Sequence, residues 1–179
     1  MELKNYCRPD FALPGLRDLI ALLPGGTVMV EVGCFAGESA EEFLKHEQIA
    51  HFHAVDPWMG GYDDSDPASF AHPMKGIEAE FDQRVQPFAE RVTKHRMTSA
   101  AAIHRFPDHS LDFVYIDALH TYEGAKIDIN MWRHKIKSGG ILGGHDYEPT
   151  FPGVIQAVDE TFGNPDQTFS EHSWMKRIG

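Results

Sequence analysis

Cysteine is scarce. Cys7 and Cys34 are the two in a chain of 179 residues, too few for a disulfide framework or a cysteine metal cage. A reducing, cytoplasmic setting is the expectation, with Cys34 a small buried residue rather than a reactive thiol. Long apolar runs are missing too, none approaching the ~18 residues that read as a membrane span. The opening Met-Glu-Leu-Lys-Asn-Tyr lacks the charged-then-apolar order of a signal peptide. Positive charge is in deficit, with 16 Lys and Arg against 27 Asp and Glu and a net charge of −11. That argues against general binding to nucleic acid or anionic membrane, both of which need cationic surface. There is no internal repeat, low-complexity tract or interdomain linker, so the whole of 1–179 is expected to be one domain with one core.

The most informative stretch begins with Val28, Met29, Val30 and Val32, an apolar, β-branched run that fits a strand buried on both faces. Gly33 and Gly37 follow, and residues 38–45 read as a helix with Ala40, Phe43 and Leu44 on one face. Strand, glycine turn and helix together offer a ligand backbone N–H groups and a positive helix end. The spacing is Glu31-x-Gly33-x-x-x-Gly37, with Phe35 where a dinucleotide turn would carry its middle glycine. An acid two residues before the first glycine repels a pyrophosphate. It suits a cationic ligand, or one that presents hydroxyls and an amine.

Before this stretch, Leu16, Leu19, Ile20 and Leu23 predict a helix within residues 1–26 that stops at Pro24-Gly25-Gly26. After it, residues 51–56 predict a second strand ending in Asp56, where an acid reaches ribose hydroxyls in a doubly wound sheet. Residues 57–73 hold Pro57, Trp58, Tyr62, Pro67 and Pro73 without any period. A loop of that length at a strand's carboxyl end reads as a substrate lid, with Trp58 and Tyr62 as walls. Asp63, Asp64 and Asp66 within it hint at a polar or cationic acceptor. Ile77, Phe81, Val85 and Phe88 predict a helix, and 91–97 a polar edge strand. Ser99 is expected to cap the alanine-rich turn that follows.

Residues 111–117 form the clearest strand after the first and end in Asp117. Ala125, Ile129, Trp132 and Ile136 then mark a helix ended by Ser138-Gly139-Gly140. Residues 141–147 read as a buried strand that ends in His145 and Asp146. Val154, Val158 and Phe162 give a helix from Pro152 to Gly163, and 174–178 a final strand paired with 167–170 as a hairpin. Alternating strands and helices predict a doubly wound, parallel-rich sheet with helices on both faces and an antiparallel strand at the end. The carboxyl edge then gathers Glu31, Asp56, Asp117 and the His145-Asp146 pair. Like charges there repel unless a cation joins them.

The Glu31-x-Gly33-x-x-x-Gly37 stretch resembles motif I of class I S-adenosylmethionine-dependent methyltransferases. Phe35, Gly37 and Ser39 look most like the metal-dependent O-methyltransferase branch, the group of catechol O-methyltransferase. The resemblance runs from Gly25 onward. It implies a Rossmann-like, seven-stranded sheet with an antiparallel C-terminal strand. It also implies S-adenosylmethionine along Glu31, Gly33, Phe35, Gly37, Ser39, Asp56, Pro57, Trp58, Ser99 and Asp117, with Ser99 beside the adenine. Asp117 and Asp146 match metal-binding carboxylates of that branch, and His145 stands where the branch has another oxygen ligand. Magnesium suits oxygen ligands; an imidazole admits manganese, iron or zinc. His120 replaces the branch's basic lysine, and with Asp117 forms the expected catalytic pair, His120 taking the acceptor's proton. The expected activity is S-adenosylmethionine-dependent methyl transfer to a hydroxyl of a small molecule. The alternatives are a metal-independent methyltransferase on the same scaffold and a cofactor-binding module without turnover. No nucleic-acid or membrane partner is expected, and a homodimer stays open.

Overall fold

A computed structural model describes residues 13–62 and 68–179. Cys7, Asp63, Asp64, Asp66 and the start of the expected N-terminal helix lie outside the described residues. In chain order the elements are α1 (Pro14–Ile20), β1 (Thr27–Val32), α2 (Glu38–Leu44), β2 (Ile49–Asp56), α3 (Ala68–Ala71), α4 (Met74–Val85) and β3 (Val92–Arg96). There follow α5 (Ser99–Ala102), β4 (Leu111–Ile116), α6 (Tyr122–Trp132), β5 (Ile136–Gly144), α7 (Pro152–Phe162), β6 (Gln167–Thr168) and β7 (Trp174–Arg177). The strands form one seven-stranded sheet in the order β3-β2-β1-β4-β5-β7-β6. β1 pairs in parallel with β2 on one side and β4 on the other. The chain order therefore reverses at β1, and in open α/β sheets a ligand crevice forms at such a switch point.

Side-chain alternation divides the core into two layers. Met29 on β1, Phe113 and Tyr115 on β4 and Ile141 on β5 pack with Leu16, Leu19, Phe43 and Phe81 of α1, α2 and α4. Val30, Val32, Val114, Ile116 and Leu142 face the other way, onto Ala102, Ile129, Trp132 and Val158 of α5, α6 and α7. Burial on both faces explains the near-continuous apolar reading of β1 and β4. β3 is the polar edge that its Lys94-His95-Arg96 predicts. β7 runs antiparallel to β5 and to β6, so the hairpin closes the other side.

Three expectations are corrected. Ile136 does not continue a helical stripe: α6 ends at Trp132, a short 3-10 turn covers Arg133–Lys135, and Ile136 opens β5 in register with Leu111. A buried branched residue reads alike in helix and strand, which is why periodicity extended the helix too far. Ser99 does not cap its turn; Thr98 does, accepting from Ala101 N. Trp58 is core, 3% exposed, rather than a wall of the loop that follows Asp56. Among the described residues, no helix is long and apolar enough to cross a membrane.

Candidate functional site

The first part of the site is the turn after β1. Gly33 lies at φ 86°, and a Cβ there would fall 1.9 Å from the Asp117 carbonyl oxygen, so only glycine lets the β1 and β4 ends approach this closely. Its N–H donates to Val55 O at 2.9 Å, and Asp117 N donates to Val32 O at 2.8 Å. These bonds carry the sheet's pairing one residue past the strand ends. Phe35 also takes a positive φ, 44°, uncommon for a bulky residue and a form of strain found at functional sites. Asp56 holds it there. Its Oδ2 accepts from Cys34 N and Phe35 N, both at 2.9 Å, and its Oδ1 accepts from Trp58 N at 2.6 Å. Burial raises the Asp56 pKa from its ordinary value, opposed by those three amides.

Beside this turn lies a cleft of about 280 Å³. Of the residues expected along a cofactor, Gly33, Phe35, Asp56, Pro57, Ser99 and Asp117 line it, together with Tyr62. Glu31, Gly37, Ser39 and Trp58 are not among its lining residues; they support it. Strand alternation turns Glu31 to the α2 side, where it is fully buried and its Oε1 accepts from Ser39 Oγ at 2.5 Å. Its Oε2 is buried without a hydrogen-bond partner, and burial pushes its pKa up to about 8. Gly37 enters α2 at φ 86°. The Trp58 indole donates to Phe35 O at 2.8 Å and packs 5.0 Å from the Phe81 ring, with Lys94 Nζ 4.5 Å over its face.

The cleft is also lined by α6, which sequence reading missed. Ile127, Asp128 and Met131 line the cleft there, with Thr98, Ala118 and Leu119 from neighbouring turns. Asp128 is 5% exposed and accepts from Ser99 Oγ, which itself accepts from Trp132 Nε1 at 2.8 Å. Burial raises the Asp128 pKa to about 6 against the Ser99 bond. A signal was present: Asp128 falls within the apolar stripe of Ala125, Ile129 and Trp132, and a carboxylate on a buried face needs a partner.

The second part of the site joins the ends of β4 and β5. One ligand atom each from Asp117, His120 and Asp146 lie within 4.8 Å of one another. His120 Nε2 is 2.9 Å from Asp146 Oδ2, and the His120 ring stacks on Phe151, centroids 4.5 Å apart. His145 stands behind: its Nδ1 is 3.0 Å from Asp146 Oδ1 while its Nε2 is buried without a partner. The group of side chains that could hold a metal thus contains His120, while His145, the candidate from sequence, stands outside it. Asp146 follows at φ 62°, after His145 N has donated to Ile116 O at 3.0 Å.

Charge is concentrated here. Burial raises the Asp117 pKa to about 6, with His145 and His120 lowering it and Asp146 raising it. Burial also disfavours the Asp146 carboxylate, yet its two imidazole neighbours hold it well below the usual carboxylate range. For His145, burial lowers the pKa, but the bond to Asp146 and the charge of Asp117 outweigh it and hold the imidazole at about 9. Two carboxylates and an imidazole facing one point can hold a divalent cation, or can position a histidine as a proton acceptor.

A family model described as "Methyltransferase domain" matches residues 30–147. The fold is similar to cofactor-bound Rv0187 from MTB, at 14% identity and TM-score 0.66 over 96% of this chain and 83% of that one. It is similar to the O-methyltransferase NovP at 20% identity and TM-score 0.63, over 92% of this chain and 76% of that one. It is similar as well to precorrin-6y C5,15-methyltransferase from Geobacter metallireducens GS-15, at 15% identity and TM-score 0.56, over 82% and 69%. No curated protein sequence matches the chain. The chain belongs to the methyltransferase domain family, with the class I, S-adenosylmethionine-dependent architecture.

Proposed function

We propose that this methyltransferase moves the methyl group of S-adenosylmethionine to a hydroxyl of a small molecule, with Asp117, His120 and Asp146 holding one divalent cation. The observation that carries the reading is the convergence of those three ligand atoms within 4.8 Å. Asp117 lines the cleft as well, so cofactor and acceptor would meet beside it. The donor set fits a cation: two carboxylates close together repel unless a positive charge joins them. Magnesium remains the first choice for the carboxylates, and the imidazole admits manganese, iron or zinc. Such an ion, when bound, acidifies and fixes an acceptor hydroxyl.

The chain's own residues do the rest. Asp56, pinned by three amides, keeps about one acceptor position, on Oδ1, for a ribose hydroxyl. Gly33 and Phe35 shape the turn that would face the bound cofactor. The walls of the cleft align methyl carbon and acceptor oxygen for in-line displacement, itself a large contribution to rate. The net charge of −11 supports a small acceptor rather than a nucleic acid.

The 2.9 Å contact between His120 Nε2 and Asp146 Oδ2 favours a second reading. A carboxylate-oriented histidine is a general base, and His120 would then take the acceptor's proton with no metal. The two roles exclude one another at Nε2. Calorimetry with Mn²⁺ and Mg²⁺, beside turnover of a panel of hydroxylated acceptors before and after chelation, separates them. The metal reading expects saturable binding of one ion and loss of turnover on chelation. Full turnover by the chelated enzyme overturns it in favour of His120 as base. Saturable S-adenosylhomocysteine binding, with no turnover of any acceptor under either condition, would identify a binding module.

A further inference from the structure

We propose that Asp128 is the residue that recognises the exocyclic amine of the cofactor's adenine, an inference that rests on the cofactor reading above. The hydrogen-bond chain on this wall has a fixed direction. An indole N–H can only donate, so Trp132 Nε1, 2.8 Å from Ser99 Oγ, occupies one of that hydroxyl's lone pairs. The Ser99 proton then goes to Asp128 Oδ1. One hydroxyl uses one of about four acceptor positions on a carboxylate. Asp128 lines the cleft and is 5% exposed, so its remaining acceptor capacity serves whatever occupies the cleft.

What lines the cleft with it selects the ligand group. Ala118, Leu119, Ile127 and Met131 line the same cleft, an apolar setting that suits a flat heterocycle with one polar edge. Asp56 lines it from the end of β2, and Asp117 from the turn after β4. On the cofactor reading the three carboxylates divide the ligand: a ribose hydroxyl at Asp56, the sulfonium beside Asp117, and a nitrogen-bound donor at Asp128. Adenine carries such a donor on its exocyclic nitrogen. Hypoxanthine, with an oxygen in its place, would set an acceptor against an acceptor, and a site built around a hydrogen bond rejects the analogue that cannot make it.

The test is calorimetric binding of S-adenosylhomocysteine and its 6-oxo analogue, S-inosylhomocysteine, to the full chain. Wild type is expected to prefer the adenosyl form by about 10-fold or more. In Asp128→Asn the fixed Ser99 hydroxyl holds the amide oxygen and turns the NH₂ toward the cleft, so the preference should disappear or reverse. Asp128→Ala, checked for an intact fold by circular dichroism, should bind both forms within about 3-fold of each other. Retention of the wild-type preference in either variant, or equal binding of both forms by wild type, overturns the inference and leaves the cofactor reading standing. Failure of wild type to bind S-adenosylhomocysteine overturns both.

Discussion

The two halves of the site treat their carboxylates differently. At the β1 and β2 ends, Asp56 is neutralised by backbone: three N–H groups donate to it, and Glu31 beneath has the Ser39 hydroxyl. At the β4 and β5 ends, Asp117 and Asp146 face each other with imidazoles as their counter-charges. Amides are fixed donors, so the Asp56 turn depends on no ionisable partner. Imidazoles can lose a proton or yield their place to a cation. On the function proposed above, the first half would bind and the second would change charge state during the reaction.

The sharpest way to break that comparison is to remove a charge from the second half. Asp146→Ala should cut turnover by at least about 10³-fold, the several kcal/mol that a charge-stabilising centre supplies. S-adenosylhomocysteine affinity should stay within about 3-fold of wild type, because the purine and ribose contacts are elsewhere. Comparable losses in binding and turnover would merge the halves into one unit. In the first half, Asp56→Ala should weaken S-adenosylhomocysteine by about 1–3 kcal/mol, read by calorimetry, and lower the melting temperature as three amides lose their acceptor. An unchanged affinity would reduce Asp56 to a turn residue. His145→Ala is smaller still. As a residue that orients Asp146 from behind, it should lower metal affinity about 10–100-fold with cofactor affinity unmoved. Unaltered metal affinity would separate His145 from the centre.

The legible parts of the molecule were those with a local pattern. β1 and β4 showed as apolar runs, and the glycine turn as Gly33 and Gly37 at fixed spacing, so the parallel-rich sheet and a site at its carboxyl edge followed. The α6 wall was less legible because Asp128 has meaning only through Ser99, 29 residues away in sequence. The exchange of His145 for His120 was hidden for a related reason. Both histidines stand beside strand-end acids and both contact Asp146, and only the folded loop shows that His120, not His145, converges with the two carboxylates. Trp58 looked like a wall because it follows Asp56. Its indole bond to Phe35 O makes it a prop under the turn.

The gentlest perturbation sharpens the comparison from beneath the first half. Glu31 is fully buried, and burial raises its pKa from 4.5 to about 8. A folded-state pKa above the unfolded one means the native state keeps a proton that the unfolded chain releases. Between about 4.5 and 8 the unfolded chain binds fewer protons at this site than the native state does, so stability falls as pH rises, by at most about 1.4 kcal/mol per pH unit. Asp117 and Asp128 act in the same direction only up to about 6. His145 adds its own decline between 6.5 and about 9, because its raised pKa stabilises the fold at low pH and the benefit fades as that proton leaves. Between about 6 and 8, Glu31→Gln should therefore remove one proton's worth of slope and leave that of His145. Urea titrations at half-unit pH steps measure it directly. A slope identical to wild type over that window would mean that Glu31 is ionised in the native state, its charge held on the α2 side by the Ser39 hydroxyl.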